Sequence, residues 1–298
     1  MATPPTATVI IPVYDDAARL DSCLASVGPQ AQQVGAEILV VDNGSRDDPG
    51  AVVDRYAAAR MLHEPTPGSY AARNTALKEA EADVLAFTDA DCVPAPDWLA
   101  NGLAALARPG VVRVAGPIEL VTQRPGKASA VEEWELAHTF RQERYVREFG
   151  WAATANLFVR REVFDAVGPF NAQVRSGGDK EWGSRATDAG VALDFDPEVV
   201  VRHPTRRTLR ELRTKHRRIV TGDAVLRAQG AFDARRVPLW RQLLVPPVKD
   251  IRRGWDVVGL TSPGGRARFA ATTMAMRYVR TYDELVVRRQ QRRQAEAA

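Results

Sequence analysis

Long apolar runs are missing from this 298-residue sequence. No stretch approaches the roughly 20 consecutive apolar residues that a membrane-spanning helix needs. Residues 1–8 also lack the basic and apolar segments of a secretory signal. We therefore expect neither a transmembrane helix nor a signal peptide, and a cytoplasmic location. The hydrophobic fraction of 45% is ordinary for a globular protein with a large core.

Cysteine is scarce, and two common glycine motifs are absent. Cys23 and Cys92 provide neither a disulfide framework nor the ligand spacing of a zinc site. The sequence contains no Gly-x-Gly-x-x-Gly after a strand and no Gly-x-x-x-x-Gly-Lys-Ser/Thr. A nicotinamide dehydrogenase and a P-loop nucleotidase thereby lose their main sequence support.

Charge is distributed unevenly along the chain. Residues 202–298 contain 23 Lys and Arg against 8 Asp and Glu, a net charge of +15, whereas residues 1–201 have a net charge of −11. The basic part suits an anionic surface. It lacks regularly interleaved aromatic residues, so we expect no nucleic-acid partner. Two interpretations stay open: peripheral contact with an anionic membrane, and a solvated basic face.

The order of predicted elements indicates an α/β fold. Buried strands are predicted at 7–14 and 37–41, with an amphipathic helix between them that Asp15 or Asp16 caps. A strand–helix–strand unit implies a right-handed crossover and a parallel sheet. Ligands of such sheets bind beyond the carboxyl ends of the strands, where Asp42 lies.

Several later elements are also predicted from periodicity. We expect three helices, at 51–60, 94–106 and 129–146, a strand at 191–195 and a helix at 180–189 that Asp179 caps.

A pair of carboxylates follows the apolar run 84–87. Asp89 and Asp91 are two residues apart, so at strand spacing their side chains point the same way. Two adjacent carboxylates repel each other unless a cation lies between them, and Mg²⁺ is usually held by one or two carboxylates together with substrate phosphates. A second pair, Asp194 and Asp196, precedes Pro197, and we interpret it as strand-edge and turn chemistry.

Five segments, in this order, resemble the family 2 glycosyltransferases, inverting enzymes with the GT-A fold: 10–14 (IIPVY), 40–47 (VVDNGSRD), 72–74 (ARN), 87–91 (FTDAD) and 178–182 (GDKEW). The resemblance covers residues 8–205. It implies a GT-A fold, with a mostly parallel Rossmann-like sheet flanked by helices. We accordingly expect a catalytic domain at 1–205 and a basic, mainly helical extension at 206–298.

The resemblance also implies roles for individual residues. Donor-binding roles fall to residues that match the family's nucleotide, ribose and diphosphate contacts: Pro12, Tyr14, Asp15, Asp42, Arg73 and Asp89. Asp91 and Asp89 match the Asp-x-Asp motif that binds Mn²⁺ or Mg²⁺, and His203 resembles a histidine that completes the metal shell in some relatives. Asp179 matches the general base.

The sequence departs from the family pattern at the base. The usual Glu-Asp pair is Gly178-Asp179 here, so both Asp179 and Glu181 are catalytic candidates. We favour Asp179, because Gly177 and Gly178 leave room for an acceptor and a helix N-terminus favours an ionised carboxylate. The processive Gln-x-x-Arg-Trp motif is absent, which favours the transfer of single sugars.

The expected function is therefore metal-dependent transfer of one sugar from a nucleotide diphosphate sugar to a hydroxyl acceptor. A UDP-sugar is favoured over GDP- or dTDP-sugars, the acceptor is a candidate lipid-linked molecule, and the context is cell-envelope glycan, polysaccharide or glycolipid synthesis. The inner face of the plasma membrane is the expected site of peripheral contact. Two alternatives stay open: a nucleotidyltransferase, and a non-catalytic module that binds nucleotide sugars or a membrane surface.

Overall fold

A computed structural model describes residues 4–124, 126–231 and 238–297. The chain forms two compact units. The first unit comprises Met1–Glu119 and Phe140–His203, and the second comprises Leu120–Thr139 and Pro204–Ala298. The division into 1–205 and 206–298 did not anticipate that residues 120–139 pack in the second unit.

The strands, in chain order, are β1 (Thr8–Val13), β2 (Glu37–Asp42), β3 (Ala59–His63), β4 (Val84–Thr88), β5 (Val93–Pro94), β6 (Arg113–Ala115), β7 (Ile118–Val121), β8 (Asn156–Arg160), β9 (Asp194–Phe195) and β10 (Val201–Pro204). The helices are α1 (Ala17–Val34), α2 (Gly50–Val53), α3 (Ser69–Glu79), α4 (Trp98–Leu106), α5 (Ala130–His138), α6 (Gln142–Phe149), α7 (Arg161–Val167), α8 (Gly178–Asp188), α9 (Leu209–Ala228), α10 (Leu239–Leu244), α11 (Val248–Val258) and α12 (Pro263–Ala297).

A seven-stranded sheet in the order β3-β2-β1-β4-β8-β6-β9 forms the centre of the first unit. The strands β3, β2, β1 and β4 are parallel, which confirms the predicted strand–helix–strand start. The apolar side chains of β1, β2 and β4 are buried on both faces, as parallel sheets covered by helices require, whereas those of the edge strand β3 are partly exposed. Parallel pairing also brings the carboxyl ends of β2 and β4, with Asp42 and Asp89, to one edge.

The other half of the sheet is mixed. The strand β8 runs antiparallel to both β4 and β6, and β9 is parallel to β6. Buried hydrogen bonds hold the start of β8 in place. Asn156, its first residue, accepts a hydrogen bond from the buried Trp98 indole. Asn156 also donates to the carbonyl oxygens of Pro117 and Val199, so a buried amide links three segments.

Several predicted elements have other bounds in the structure. The helix expected at 51–60 is only the short α2, and the strand expected at 191–195 is only β9. The helix expected from residue 94 begins at Trp98, because residues 93 and 94 form β5 instead.

The predicted helix at 129–146 is wrong as a single element. The helix α5 ends at His138 and α6 begins at Gln142. Phe140, between them, has a φ of 48°, a left-handed conformation that interrupts a right-handed helix. Periodicity missed the break because both halves have helical spacing.

The second unit is mainly helical. The helix α9 starts with a capping box formed by Thr208 and Glu211, which satisfies backbone N–H groups at its N-terminus. It packs against α12, and α5 contributes three buried carboxylates, among them Glu135. In the described residues, no helix is both long and apolar enough to cross a membrane.

Candidate active site

Asp89 and Asp91 lie directly after β4, at the carboxyl edge of the sheet. A second strand pair brings a histidine to them. The strand β10 is antiparallel to β5, with Arg202 opposite Val93, and this register places His203 beside Asp91. His203 Nε2 lies 3.4 Å from Asp91 Oδ2, and the imidazole is only 3% exposed.

Asp91, Cys92 and His203 could hold a metal ion, since one ligand atom from each lies within 4.8 Å of the others. The thiol is the least suitable of the three. Burial raises the pKa of Cys92 well above its ordinary value, so the group stays a neutral thiol at physiological pH. A carboxylate oxygen and an imidazole nitrogen fit Mn²⁺ better, and Asp91 with His203 therefore fits the expected divalent ion.

Asp89 has a different partner. Its Oδ1 accepts a hydrogen bond from Nη2 of Arg73, which is 2% exposed on α3. The Nε atom of Arg73 is buried and has no hydrogen-bond partner among the described residues. An unpaired, buried cationic donor is costly unless a ligand acceptor completes it. Arg73 therefore has one buried donor that an anionic ligand could satisfy, while Asp89 holds its guanidinium.

Asp179 lies in the first turn of α8, across from α3. Its Oδ1 accepts hydrogen bonds from the Tyr70 hydroxyl at 3.0 Å and from the Lys180 N–H at 2.9 Å. Burial raises the pKa of Asp179 above its ordinary value, although these two hydrogen bonds and the charge of Arg73 oppose that rise. A desolvated carboxylate with a raised pKa is a stronger base than one in water.

Two details of the Asp179 prediction are wrong. The cap of α8 is Gly177, with a φ of 84°, and Asp179 lies inside the helix. The space beside Gly178 is also filled: a Cβ there would lie 2.8 Å from the Tyr70 ring.

Glu181, the other candidate base, is committed to an ion pair. Its carboxylate accepts from the Arg185 guanidinium at 2.9 and 3.2 Å. Arg185 also donates to the carbonyl oxygens of Val167 and Pro169, so this ion pair ties α8 to the end of α7. The arrangement is that of a structural ion pair.

Asp42, at the end of β2, accepts from the Ser45 N–H at 2.9 Å and lies 3.4 Å from His63 Nδ1. Burial raises the pKa of Asp42, but the hydrogen bonds from Ser45 and His63 outweigh burial and lower it overall. Asp42 is therefore ionised at neutral pH, and its carboxylate could accept hydrogen bonds from a nucleoside.

The remaining predicted donor residues lie on and after β1. Pro12 is buried in the strand opposite Val41, whereas the Tyr14 side chain is 61% exposed. Asp15 has a φ of 49° and accepts from the Arg46 backbone and guanidinium. The hydrogen bonds from Arg46 lower the pKa of Asp15.

The predicted N-cap of α1 is confirmed in position, but its side chain does not make the cap hydrogen bond. Asp16 occupies the N-cap position but makes no side-chain cap hydrogen bond. Instead, Asp47 from the loop after β2 accepts from the Ala17 N–H at 2.8 Å. A partner 30 residues away satisfies the helix end, which local sequence rules do not detect.

Sequence reasoning missed Tyr70. Its hydroxyl contacts Asp179, and the Arg73 guanidinium lies over its ring at 5.5 Å. Tyr70 and Arg73 are three residues apart on α3, a helical spacing that places them on one face. That spacing was the available signal, but the partner, Asp179, is 109 residues away.

Comparison with known proteins identifies the family of this chain. The family model described as "Glycosyl transferase family 2" matches residues 8–168. Glycosyltransferase AglE of Haloferax volcanii is 36% identical over 242 residues, covering 79% of this chain and 79% of AglE. The pre-mycofactocin glycosyltransferase of Mycobacterium tuberculosis is 30% identical, covering 68% of this chain and 44% of that protein.

A solved structure resembles the chain over most of its length. The mannosyltransferase PcManGT from Pyrobaculum calidifontis, in complex with GDP-Man and Mn²⁺, matches with a TM-score of 0.60 and 21% identity. The match covers 96% of this chain and 87% of that one. The fold is therefore GT-A, as the sequence predicts, and the chain belongs to glycosyl transferase family 2 and is a glycosyltransferase.

Proposed function

We propose that this enzyme transfers one sugar from a nucleoside diphosphate sugar to a hydroxyl acceptor, with metal assistance and inversion at the anomeric carbon. The observation that carries the proposal is the pair Asp91–His203, 3.4 Å apart at the strand end that also bears Asp89. Cell-envelope glycan, polysaccharide or glycolipid synthesis is the proposed context.

Asp91 and His203 are the proposed ligands of Mn²⁺ or Mg²⁺, with Asp89 as a further candidate. Such an ion supplies positive charge to a diphosphate. PcManGT was solved with GDP-Man and Mn²⁺, which supports a nucleotide sugar and a divalent ion in this fold.

The donor is held, in this proposal, by residues of both strand ends. Arg73 offers its unpaired Nε to a diphosphate oxygen, and Asp42 accepts from the nucleoside. Pro12, Tyr14 and Asp15 border the nucleoside. A UDP-sugar stays the favoured donor, with GDP- and dTDP-sugars as the alternatives to test.

Asp179 is the proposed general base. It takes the proton of the acceptor hydroxyl as that oxygen bonds to the anomeric carbon and the nucleoside diphosphate departs. A single displacement of this kind, through an oxocarbenium-like transition state, inverts the anomeric configuration. Tyr70 orients the carboxylate, and Glu181 supports the helix that carries it.

The acceptor and the location are also proposals. We assign catalysis to residues 1–205 and place the basic residues 206–298 against an anionic membrane, as a peripheral contact at the inner face of the plasma membrane. A lipid-linked acceptor would be presented there. Nucleic acid is not a proposed partner.

A ligand matrix tests the proposal. UDP-, GDP- and dTDP-sugars are each combined with Mn²⁺, Mg²⁺ or EDTA, and the melting temperature is measured, because a ligand that binds only the folded state raises it. The stabilising pair then enters a transfer assay with lipid-linked and simple hydroxyl acceptors. Turnover that releases nucleoside diphosphate, and is lost in EDTA, is the expected result.

Four outcomes would contradict the proposal. Release of inorganic diphosphate would identify a nucleotidyltransferase. Donor binding without turnover on any acceptor would favour a non-catalytic binding module. Full activity in excess EDTA would contradict the metal requirement. Retention of the anomeric configuration in the product would contradict a single displacement.

A further inference from the structure

The described part of the second unit exposes several large apolar side chains that lie close together in the sequence. They lie on α10 and at the start of α11 and are 39 to 75% exposed: Trp240, Leu243, Leu244, Val245 and Val248. We call this set the apolar ridge. Single exposed apolar residues are normal, but five within nine positions indicate an interaction surface.

The backbone of the ridge is fixed by α12. The Arg277 guanidinium donates to the carbonyl oxygens of Arg241 and Gln242, and the Tyr278 hydroxyl donates to that of Leu243 at 3.3 Å. Arg277 and Tyr278 therefore satisfy carbonyl groups at the end of α10, which holds the backbone while the apolar side chains face solvent.

The helix α11 continues the surface. Its inner face packs on Phe269: a Cβ on Gly254 would lie 2.1 Å from the Phe269 ring. Its outer face bears Val257, which is 54% exposed, and the exposed cations Lys249, Arg252 and Arg253. An amphipathic helix of this kind, with apolar residues beside cations, suits the boundary between lipid headgroups and acyl chains.

Charge identifies the occupant. Residues 238–258 contain four cationic and two acidic side chains. None of the four cations, Arg241 included, forms an ion pair with a described residue. A symmetric contact with a second copy would place this net-positive surface against an identical net-positive surface, and the two would repel. An anionic lipid surface instead neutralises them.

We infer that the apolar ridge inserts into the interface of an anionic bilayer, with the cations of α10 and α11 bound to lipid headgroups. This inference rests on the peripheral membrane contact of the proposed function and assigns that contact to particular residues. Trp240 suits the interfacial depth, where tryptophan is enriched.

Flotation of the full chain with vesicles tests the inference. We expect binding to phosphatidylglycerol-containing vesicles that is stronger than to phosphatidylcholine vesicles and weakened by salt. The double variant Trp240→Ser/Leu244→Ser should bind about tenfold more weakly or worse. The triple variant Lys249→Gln/Arg252→Gln/Arg253→Gln should lose about a hundredfold on the anionic vesicles.

Phe149→Ser is the matched control. Phe149 is 49% exposed in the first unit, so this change removes a comparable apolar side chain away from the ridge. It should bind vesicles like the wild type. Unchanged melting temperatures should show that all variants fold, which their surface positions favour.

The outcomes separate the two levels of the proposal. Wild-type protein that never floats with anionic vesicles overturns the membrane contact altogether, while sugar transfer is measured independently. Ridge variants that float like the wild type overturn the ridge alone. A wild-type dimer that the double variant converts to a monomer would assign the ridge to a second copy and overturn the inference.

Discussion

The first unit contains two Asp-x-Asp pairs of the same spacing in very different surroundings. Asp89 and Asp91 follow a strand buried along its whole length, and each contacts a nearly fully buried partner: Arg73 for Asp89 and His203 for Asp91. The backbone brings both partners to the pair from distant segments.

The second pair, Asp194 and Asp196, lies at the sheet edge. Both carboxylates face the half-exposed Arg108, at 3.7 and 3.3 Å, and Asp196 Oδ1 also accepts from the Glu198 N–H at 3.0 Å. These contacts confirm the interpretation of this pair as strand-edge and turn chemistry. A motif of three residues therefore does not define a site; the buried partners that the fold supplies do.

The largest difference between the pairs should appear on removing one metal-ligand candidate. Asp91→Ala should lower transfer about 10³-fold or more, because a bound metal contributes several kcal/mol to transition-state stabilisation. Asp194→Ala is the matched control and should transfer at near the wild-type rate. Steady-state kinetics across a Mn²⁺ titration measures both.

Equal activity of Asp91→Ala and Asp194→Ala would show that the two Asp-x-Asp pairs do not differ in their contribution to transfer. A Mn²⁺ affinity unchanged in Asp91→Ala, measured by calorimetry, would also remove Asp91 from the proposed ligand set.

The second prediction concerns the base. Asp179→Asn keeps an acceptor for the Tyr70 hydroxyl and the Lys180 N–H but removes the basicity, so transfer should fall about 10²-fold or more. Donor and metal affinity should be retained. Glu181→Gln is the matched control, since its ion pair with Arg185 is structural, and it should lower the melting temperature more than the rate.

Stability gives a second readout with a definite sign. An acid whose pKa is raised on folding favours the folded state more as pH falls, so its ionised form costs stability at neutral pH. Asp179→Asn should therefore melt no lower than the wild type at neutral pH. A dead Glu181→Gln with an active Asp179→Asn would exchange the two roles.

Tyr70→Phe should have a smaller effect. The Tyr70 hydroxyl stabilises ionised Asp179, so removing it raises the pKa of that carboxyl further. Because the base must be ionised, the acidic limb of the rate profile should move to higher pH. At pH values above the limb the rate should fall by about tenfold at most.

A pH profile of the transfer rate separates this positioning role from a purely structural one. A uniform loss at every pH, with the limb in its wild-type place, would show that Tyr70 acts only through packing against Gly178.

Local patterns sufficed to predict much of the fold. The strands that contain Ile38 or Leu85 are short apolar runs bounded by polar residues, and such runs fold as parallel strands wherever helices cover both faces. Helix breaks that depend on the backbone conformation of a single residue were not predictable. Phe140 adopts its left-handed φ inside a helical pattern, and nothing in the periodicity marks it.

The candidate site divides in the same way. Asp42, Asp89 and Asp91 were detectable because each lies at or just after the end of a short apolar strand. The contacts that give the site its chemistry join residues far apart in the chain, such as Tyr70 with Asp179. Desolvation of a carboxylate depends on everything packed around it, so the raised pKa of Asp179 needed the structure.

The smallest expected effect belongs to the second Asp-x-Asp pair. Asp196→Asn keeps the oxygen that accepts from the Glu198 N–H and removes only the charge opposite Arg108. Because Arg108 is half exposed, the ion pair contributes roughly 0 to 1 kcal/mol, and the free energy of unfolding should drop by no more than that. Arg108→Gln should have a similar effect, and the double variant should lose less than the sum of the two if the charges interact.

Urea unfolding at low and high salt measures the pair, whose contribution salt should reduce. Transfer by Asp196→Asn should equal the wild-type rate; a loss above tenfold would place this second pair in the active site and end the contrast with Asp89 and Asp91.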